Sequence, residues 1–221
     1  MREILGKRRT NGDGDGDDRG LLDAALEITR RWGWPVVPGI GTAPGGRCRC
    51  PRGDDCVVPG AHPSDPPLLA ATRDERMVEW WWRGRPHTPI VLATGGRAPC
   101  ALSVPAAAGA WALAELDRLG AAPGPVLATP TRYALLVEPY ELAELGELLS
   151  DRGGVPGSLR FHGPGGYLPL PPSAVGGRRL RWVSPPRPHR GRVVLPPAVR
   201  LLDVLVEAGA TVPEQGSRLA Y

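Results

Sequence analysis

Residues 47–62, RCRCPRGDDCVVPGAH, hold three of the chain's four cysteines and one of its four histidines. Cys48, Cys50, Cys56 and His62 follow the spacing C-x-C-x5-C-x5-H. Three thiolates and one imidazole make the closed tetrahedral set that zinc takes in structural sites. Pro51, Gly53, Pro59 and Gly60 let the intervening chain turn tightly enough to bring the four together. Arg47, Arg49 and Arg52 would offset the net negative charge of a Cys3His zinc centre. With four protein ligands no position is open for substrate, so the expected zinc is structural and not catalytic. The alternative is a loop of free thiols. Cys100, alone in an apolar run, is expected to be a small core residue.

At 221 residues the chain is long enough to bury one real core. We expect a lead over 1–19, a main domain over 20–186 with the cysteine loop as an insert at 45–63, and a basic, Pro-rich linker with a C-terminal helix over 187–221. Glycine and proline exceed a quarter of the residues, but they fall between periodic apolar segments and so mark tight loops. The net charge of +4 and pI near 9.2 are compatible with a polyanionic partner. No apolar run approaches the roughly 18 residues that span a bilayer, the N-terminus has no apolar signal core, and the cysteines do not resemble a secreted disulfide framework. These features place the protein in the cytoplasm, with no membrane partner. In the lead, Asn11, Asp13, Asp15 and Gly16 match the first half of a calcium loop. Leu22 stands where the bidentate carboxylate belongs, so a solvated linker is expected instead.

Leu21, Leu22, Ala25 and Ile28 recur at helical spacing, with Gly33 as the stop. A short strand follows at 34–38. Thr72 and Glu75 fit a capping box opening a Trp-rich helix. Residues 89–96 and 100–104 read as strands joined by a Gly turn, and 106–120 as a helix. Two strands flank a Pro turn over 124–139, a helix covers 140–154, a hairpin 158–177 and a last helix 198–210. Irregular alternation predicts an α+β fold with a mixed or antiparallel sheet. In Trp80-Trp81-Trp82 the three rings cannot all share one helix face; core packing is the expectation, with Trp82 the candidate for an exposed ring.

Several segments then line up in order: GWPVVPG (33–39), the cysteine loop ending in PGAHP (59–63), VEWWWRGRPHTPIVLATG (78–95), ATPTRYALLV (128–137) and GPGGYLPLPPS (163–173). Together they resemble the bifunctional DNA primase/polymerase N-terminal (prim-pol) domain of the archaeo-eukaryotic primase superfamily, in particular actinobacterial members with a cysteine-rich insert. The resemblance covers about residues 21–186. It implies an RRM-like sheet with flanking helices, a zinc-bearing loop, and a tryptophan pair that assigns Trp80 and Trp81 to the core. It also implies nucleotidyl transfer with divalent metals held by acidic residues, which clamp the attacking and leaving oxygens.

The residues depart from that pattern at every catalytic motif. Where the resemblance implies an acidic pair, the chain has Ser103 and Pro105; where it implies a phosphate-contacting histidine, Tyr133 or Ala134; where it implies a third acid, Arg160. None of these side chains holds Mg²⁺ or Mn²⁺. The expectation is therefore a prim-pol fold without its catalysis, with structural zinc and no catalytic Mg²⁺ or Mn²⁺. Arg97, Arg132 and Arg160 are candidates for a phosphate pocket, and Arg178, Arg179 and Arg181, in the acid-free run 178–192, for contacts to a nucleic-acid backbone. The sequence favours an accessory or regulatory protein that binds DNA or a nucleotide. Two rivals stand beside it: an active primase/polymerase with relocated acids, and a protein–protein interaction module. The sequence given contains no G-x-x-x-x-G-K-[ST] motif.

Overall fold

The structure is a computed structural model and describes residues 15–150, 152 and 154–211, the first five by backbone alone. The lead up to residue 14, with the first half of the calcium-like run, lies outside the described residues. Helix α1 (Asp15–Glu27) continues into a wider turn over Ile28–Trp32. It ends at Gly33, whose φ of +67° lets its N–H reach back to the Ile28 carbonyl. Ala25, Leu26 and Ile28 are buried, which is the face the spacing predicted.

Two antiparallel sheets follow. The first has the order β2-β1-β3-β8, from β1 (Val36–Gly41), β2 (Gly60–Pro63), β3 (Ile90–Ala93) and β8 (Tyr167–Leu170). The second has the order β11-β5-β6-β4-β7, from β4 (Cys100–Pro105), β5 (Val126–Ala128), β6 (Arg132–Val137), β7 (Arg160–His162) and β11 (Arg181–Ser184). Strands β3 and β4, joined through the Gly turn, lie in different sheets. The hairpin expected over 158–177 likewise separates into β7 in one sheet and β8 in the other. The two crossovers brace each other: the Thr94 N–H donates to the Gly166 carbonyl at 3.0 Å, and its hydroxyl to the Gly163 carbonyl at 2.7 Å. Gly95, at φ +91°, runs so close to Pro164 that a Cβ would lie 2.5 Å from its Cα. Alternation in sequence reveals which residues face a core but not which strand lies alongside, so this exchange is set by the tertiary fold.

The second sheet divides two cores. Cys100, Leu102 and Val104 of β4, with Leu135 and Val137 of β6, face a layer of three helices, α3 (Ala106–Arg118), α4 (Leu142–Ser150) and α5 (Val199–Thr211). Ala101, Ala134 and Leu136 face the other way, into a core shared with α1, α2 (Glu75–Gly84) and the first sheet. Leu201, Leu202 and Leu205 of α5 are fully buried, each contributing about 1.5–3 kcal/mol of apolar burial, so the C-terminal helix is part of the main core. The basic stretch before it is folded. Two small hairpins, β9 (Ala174–Val175) with β10 (Arg178–Arg179) and β12 (Pro188–His189) with β13 (Arg192–Val193), flank β11.

Two local expectations are corrected. Helix α2 is capped by Asp74, whose carboxylate accepts the Arg76 N–H at 2.9 Å; Thr72 instead exchanges backbone hydrogen bonds with Val36, tying the helix entry to β1. Among the tryptophans, Trp82 is 1% exposed and donates to the Thr88 carbonyl, while Trp80 is 67% exposed. The helix phase set by this cap turns Val78, Trp81 and Trp82 inward.

Candidate functional site

The cysteine loop connects β1 to β2, so strand pairing closes both of its ends. A Thr42–Cys48 bridge and the Arg49 N–H to Gly41 carbonyl bond place the first two cysteines over the strand end. Gly60, at φ +76°, aims its N–H at the Cys48 sulfur, 3.2 Å away; a Cβ there would collide with Thr42 at 2.8 Å. The ligand atoms of Cys48, Cys50, Cys56 and His62 all lie within 4.8 Å of one another. The His62 Nε2 stands 3.4 Å from the Cys48 sulfur and 3.5 Å from that of Cys56. For zinc with ordinary Zn–S and Zn–N bonds, a tetrahedral edge of this kind is about 3.6 Å. The ring's Nδ1 lies 3.0 Å from the Pro63 carbonyl, which can only accept; it therefore fixes the proton on Nδ1 and leaves the Nε2 lone pair for a metal. Burial pushes the Cys50 thiol up, but hydrogen bonds from Cys48, the Arg52 backbone, His62 and Cys56 outweigh it and bring it down to about 6. Burial pushes Cys56 up to about 11. The donor set can thus hold a zinc ion, and it is the one group of metal-ligating side chains found among the described residues.

A second constellation lies on the face of the second sheet opposite the three helices. Strand register pairs Ser103 with Ala134 on one side and Arg160 on the other, and Pro105 with Arg132. Antiparallel partners share a face, so the positions singled out on three separate strands converge at one end of the sheet. Alternation also separates Tyr133 from Ala134. Tyr133 packs on α3 at Gly109, where a Cβ would come within 2.6 Å of the tyrosine's own, while Ala134 faces the second core.

At the centre of this face is a buried chain of hydrogen bonds. Arg132, 3% exposed, donates through Nη2 to the Ser103 carbonyl at 2.7 Å and the Ser158 carbonyl at 2.5 Å, and through Nε to the Ser103 hydroxyl at 3.3 Å. The Ser103 Oγ is 3.1 Å from His162 Nε2, and His162 Nδ1 is 3.2 Å from the Tyr167 carbonyl. A carbonyl only accepts, so Nδ1 carries the proton and Nε2 accepts from the serine. Burial above all, with the positive charges of Arg132 and Arg160, lowers the His162 pKa to about 4 against the opposing pull of the Tyr167 carbonyl. The imidazole is neutral at pH 7.

A family model described as bifunctional DNA primase/polymerase, N-terminal (Prim-Pol), matches residues 25–200. The chain belongs to the Prim-Pol family. No curated protein and no solved structure matches it. The matched span takes in both sheets, the cysteine loop and the first residues of α5. The family resemblance implies catalytic divalent metals at the face just described. The donors there are a serine hydroxyl, two guanidiniums and a neutral histidine, with Ala134 and Pro105 alongside. They do not fit a hard divalent cation, which needs carboxylate oxygens.

The remaining sequence candidates are dispersed. Arg160 stands beside Ser103 and is partly exposed, whereas Arg132 is committed to the interior. Arg97 sits on the β3–β4 crossover, before the first residue of β4, and faces a different set of arginines. Arg178 and Arg179 form β10, and Arg181 begins β11; all three are exposed. The sequence reading missed His162, which lies two residues beyond Arg160 and so, at a period of two, shares its face. No helix among the described residues is long and apolar enough to cross a membrane.

Proposed function

We propose that this Prim-Pol domain has lost nucleotidyl transfer and serves as an accessory or regulatory protein that binds nucleic acid or a nucleotide, with a structural zinc ion on Cys48, Cys50, Cys56 and His62. The observation that carries the reading is the Arg132–Ser103–His162 chain. It fills the convergent strand positions with buried, mutually satisfied neutral and cationic groups, where metal-dependent phosphoryl transfer needs carboxylates. A single acid restored there would face two arginines and a closed network. The five-stranded antiparallel sheet backed by α3, α4 and α5 supports the RRM-like description of the fold, and the exposed Arg178, Arg179 and Arg181 support backbone contacts.

The test is primer synthesis and primer extension by the purified, zinc-loaded protein with Mn²⁺ and all four deoxynucleotides. The expected result is no template-directed incorporation, together with retention of single-stranded DNA in a binding assay. Template-directed incorporation abolished by a substitution at another acid would establish the relocated-acid alternative instead.

A further inference from the structure

The crossover arginine, Arg97, opens onto a cavity of about 630 Å³ that lies apart from the Ser103 face. Its wall carries five arginines from four places in the chain. Arg30 and Arg31 come from the last turn after α1, Arg73 from the entry to α2, Arg97 from the β3–β4 crossover and Arg192 from β13. Trp32 and Trp34 line the same wall.

The fold brings these residues together by specific local devices. The Val36–Thr72 bridge lays the α2 entry against the start of β1, next to Trp34, and so delivers Arg73. The Gly33 turn ends the helical segment that carries Arg30, Arg31 and Trp32 and leads straight into Trp34. Trp32 is braced by Trp34, with ring centroids 5.0 Å apart, and by the edge of Trp182 at 5.8 Å. Its ring is thus held in place while remaining partly exposed.

The unpaired positive charge of this wall sets it apart from an ordinary solvated surface. Arg30 pairs with Glu75 and Arg31 with Glu27, each at 2.7 Å. Among the described residues no ion pair engages Arg73, Arg97 or Arg192, and no acidic side chain lines the cavity. Like charges gathered on one concave wall repel one another. An anion relieves that repulsion, and guanidinium forks match phosphate oxygens. The volume falls in the range of small-molecule sites, and a fixed indole beside a phosphate-binding wall suits a base attached to that phosphate.

We propose that Arg73, Arg97 and Arg192, with Trp32, form a binding site for a nucleotide phosphate. The source is either a free nucleoside triphosphate or the backbone of a single strand. The proposal deepens the nucleic-acid part of the reading above by giving it a location, and it is independent of whether the Ser103 face retains chemistry.

The experiment uses the full chain with two probes, ATP by calorimetry and fluorescein-labelled dT12 by anisotropy, between 50 and 200 mM salt. The double variant Arg73→Glu/Arg97→Glu is compared with a charge-matched control on the helix layer, Arg118→Glu/Arg200→Glu. Thermal melting confirms that both fold, which exposed arginine substitutions permit. The expected result is binding of at least one probe by the unaltered protein, weakened tenfold or more in the first variant and less than threefold in the control. For dT12 the slope of log affinity against log salt should also fall by about 1.4, two single-strand phosphate contacts' worth. Tight ATP with weak dT12 identifies a free-nucleotide site, and the reverse a strand site. Equal loss in both variants, or no loss in either, overturns this location and leaves nucleic-acid binding standing. No binding of either probe at 50 mM salt overturns both.

Discussion

His162 makes the stability of this protein depend on pH in a direction and by an amount that follow from its surroundings. Its ring is 5% exposed and neutral, with a folded pKa of about 4 against an ordinary value of 6.5. When the folded pKa lies below the unfolded one, the unfolded chain binds the proton more readily. The associated stability is therefore intact above pH 6.5 and is lost as the pH falls toward 4. The gap corresponds to about 3 kcal/mol in full, of which about 2 kcal/mol is lost between pH 8 and pH 5. Cys50, held near 6, also titrates in that window, so the comparison is with His162→Gln, which leaves that contribution in place. That amide can accept from Ser103 and donate to the Tyr167 carbonyl but takes up no proton. Urea unfolding of both proteins at pH 8 and pH 5 should show the native protein losing about 2 kcal/mol more than the variant. Equal losses would refute the reasoning, as would a His162 ring resonance that titrates near pH 6.5 in the folded protein.

Other outcomes follow from the same structure. Cys56→Ala, or removal of metal by a chelator, should abolish stoichiometric zinc by elemental analysis and lower the melting temperature, because loop folding and metal binding are coupled. Trp82→Ala should cost about 3–5 kcal/mol in chemical denaturation, since the ring is 1% exposed, while Trp80→Ala should stay within about 0.5 kcal/mol. The Tyr140 hydroxyl is the one buried side-chain polar atom without a hydrogen-bond partner among the described residues. Tyr140→Phe should therefore be neutral or stabilising by up to about 1 kcal/mol in the same assay.

Short-range devices were legible in the sequence because their physics is local. The Gly33 stop, the helix over 106–120 and the β5–β6 turn rest on backbone freedom, periodicity and proline, all of which act within a few residues. The Cys48, Cys50, Cys56 and His62 set was legible for the same reason, since its spacing and loop glycines suffice to close it. The motif departures at Ser103 and Arg160 could be read as residue identities, yet their adjacency could not. That came from strand register between β4 and β7, which are separated by more than fifty residues.

The tertiary structure alone decided three things. It exchanged β3 and β8 into one sheet and β4 and β7 into the other, because two glycine-permitted crossovers lock together across Thr94. It turned Arg132 from a candidate phosphate contact into a buried donor, because strand alternation places it on Ala134's face, with two backbone carbonyls in reach. It also parted Arg97 from Arg132 and Arg160 and set it among arginines from three other segments. Sequence specifies which side chains carry charge and which positions can turn; only the packing of distant segments determines which charges share a cavity.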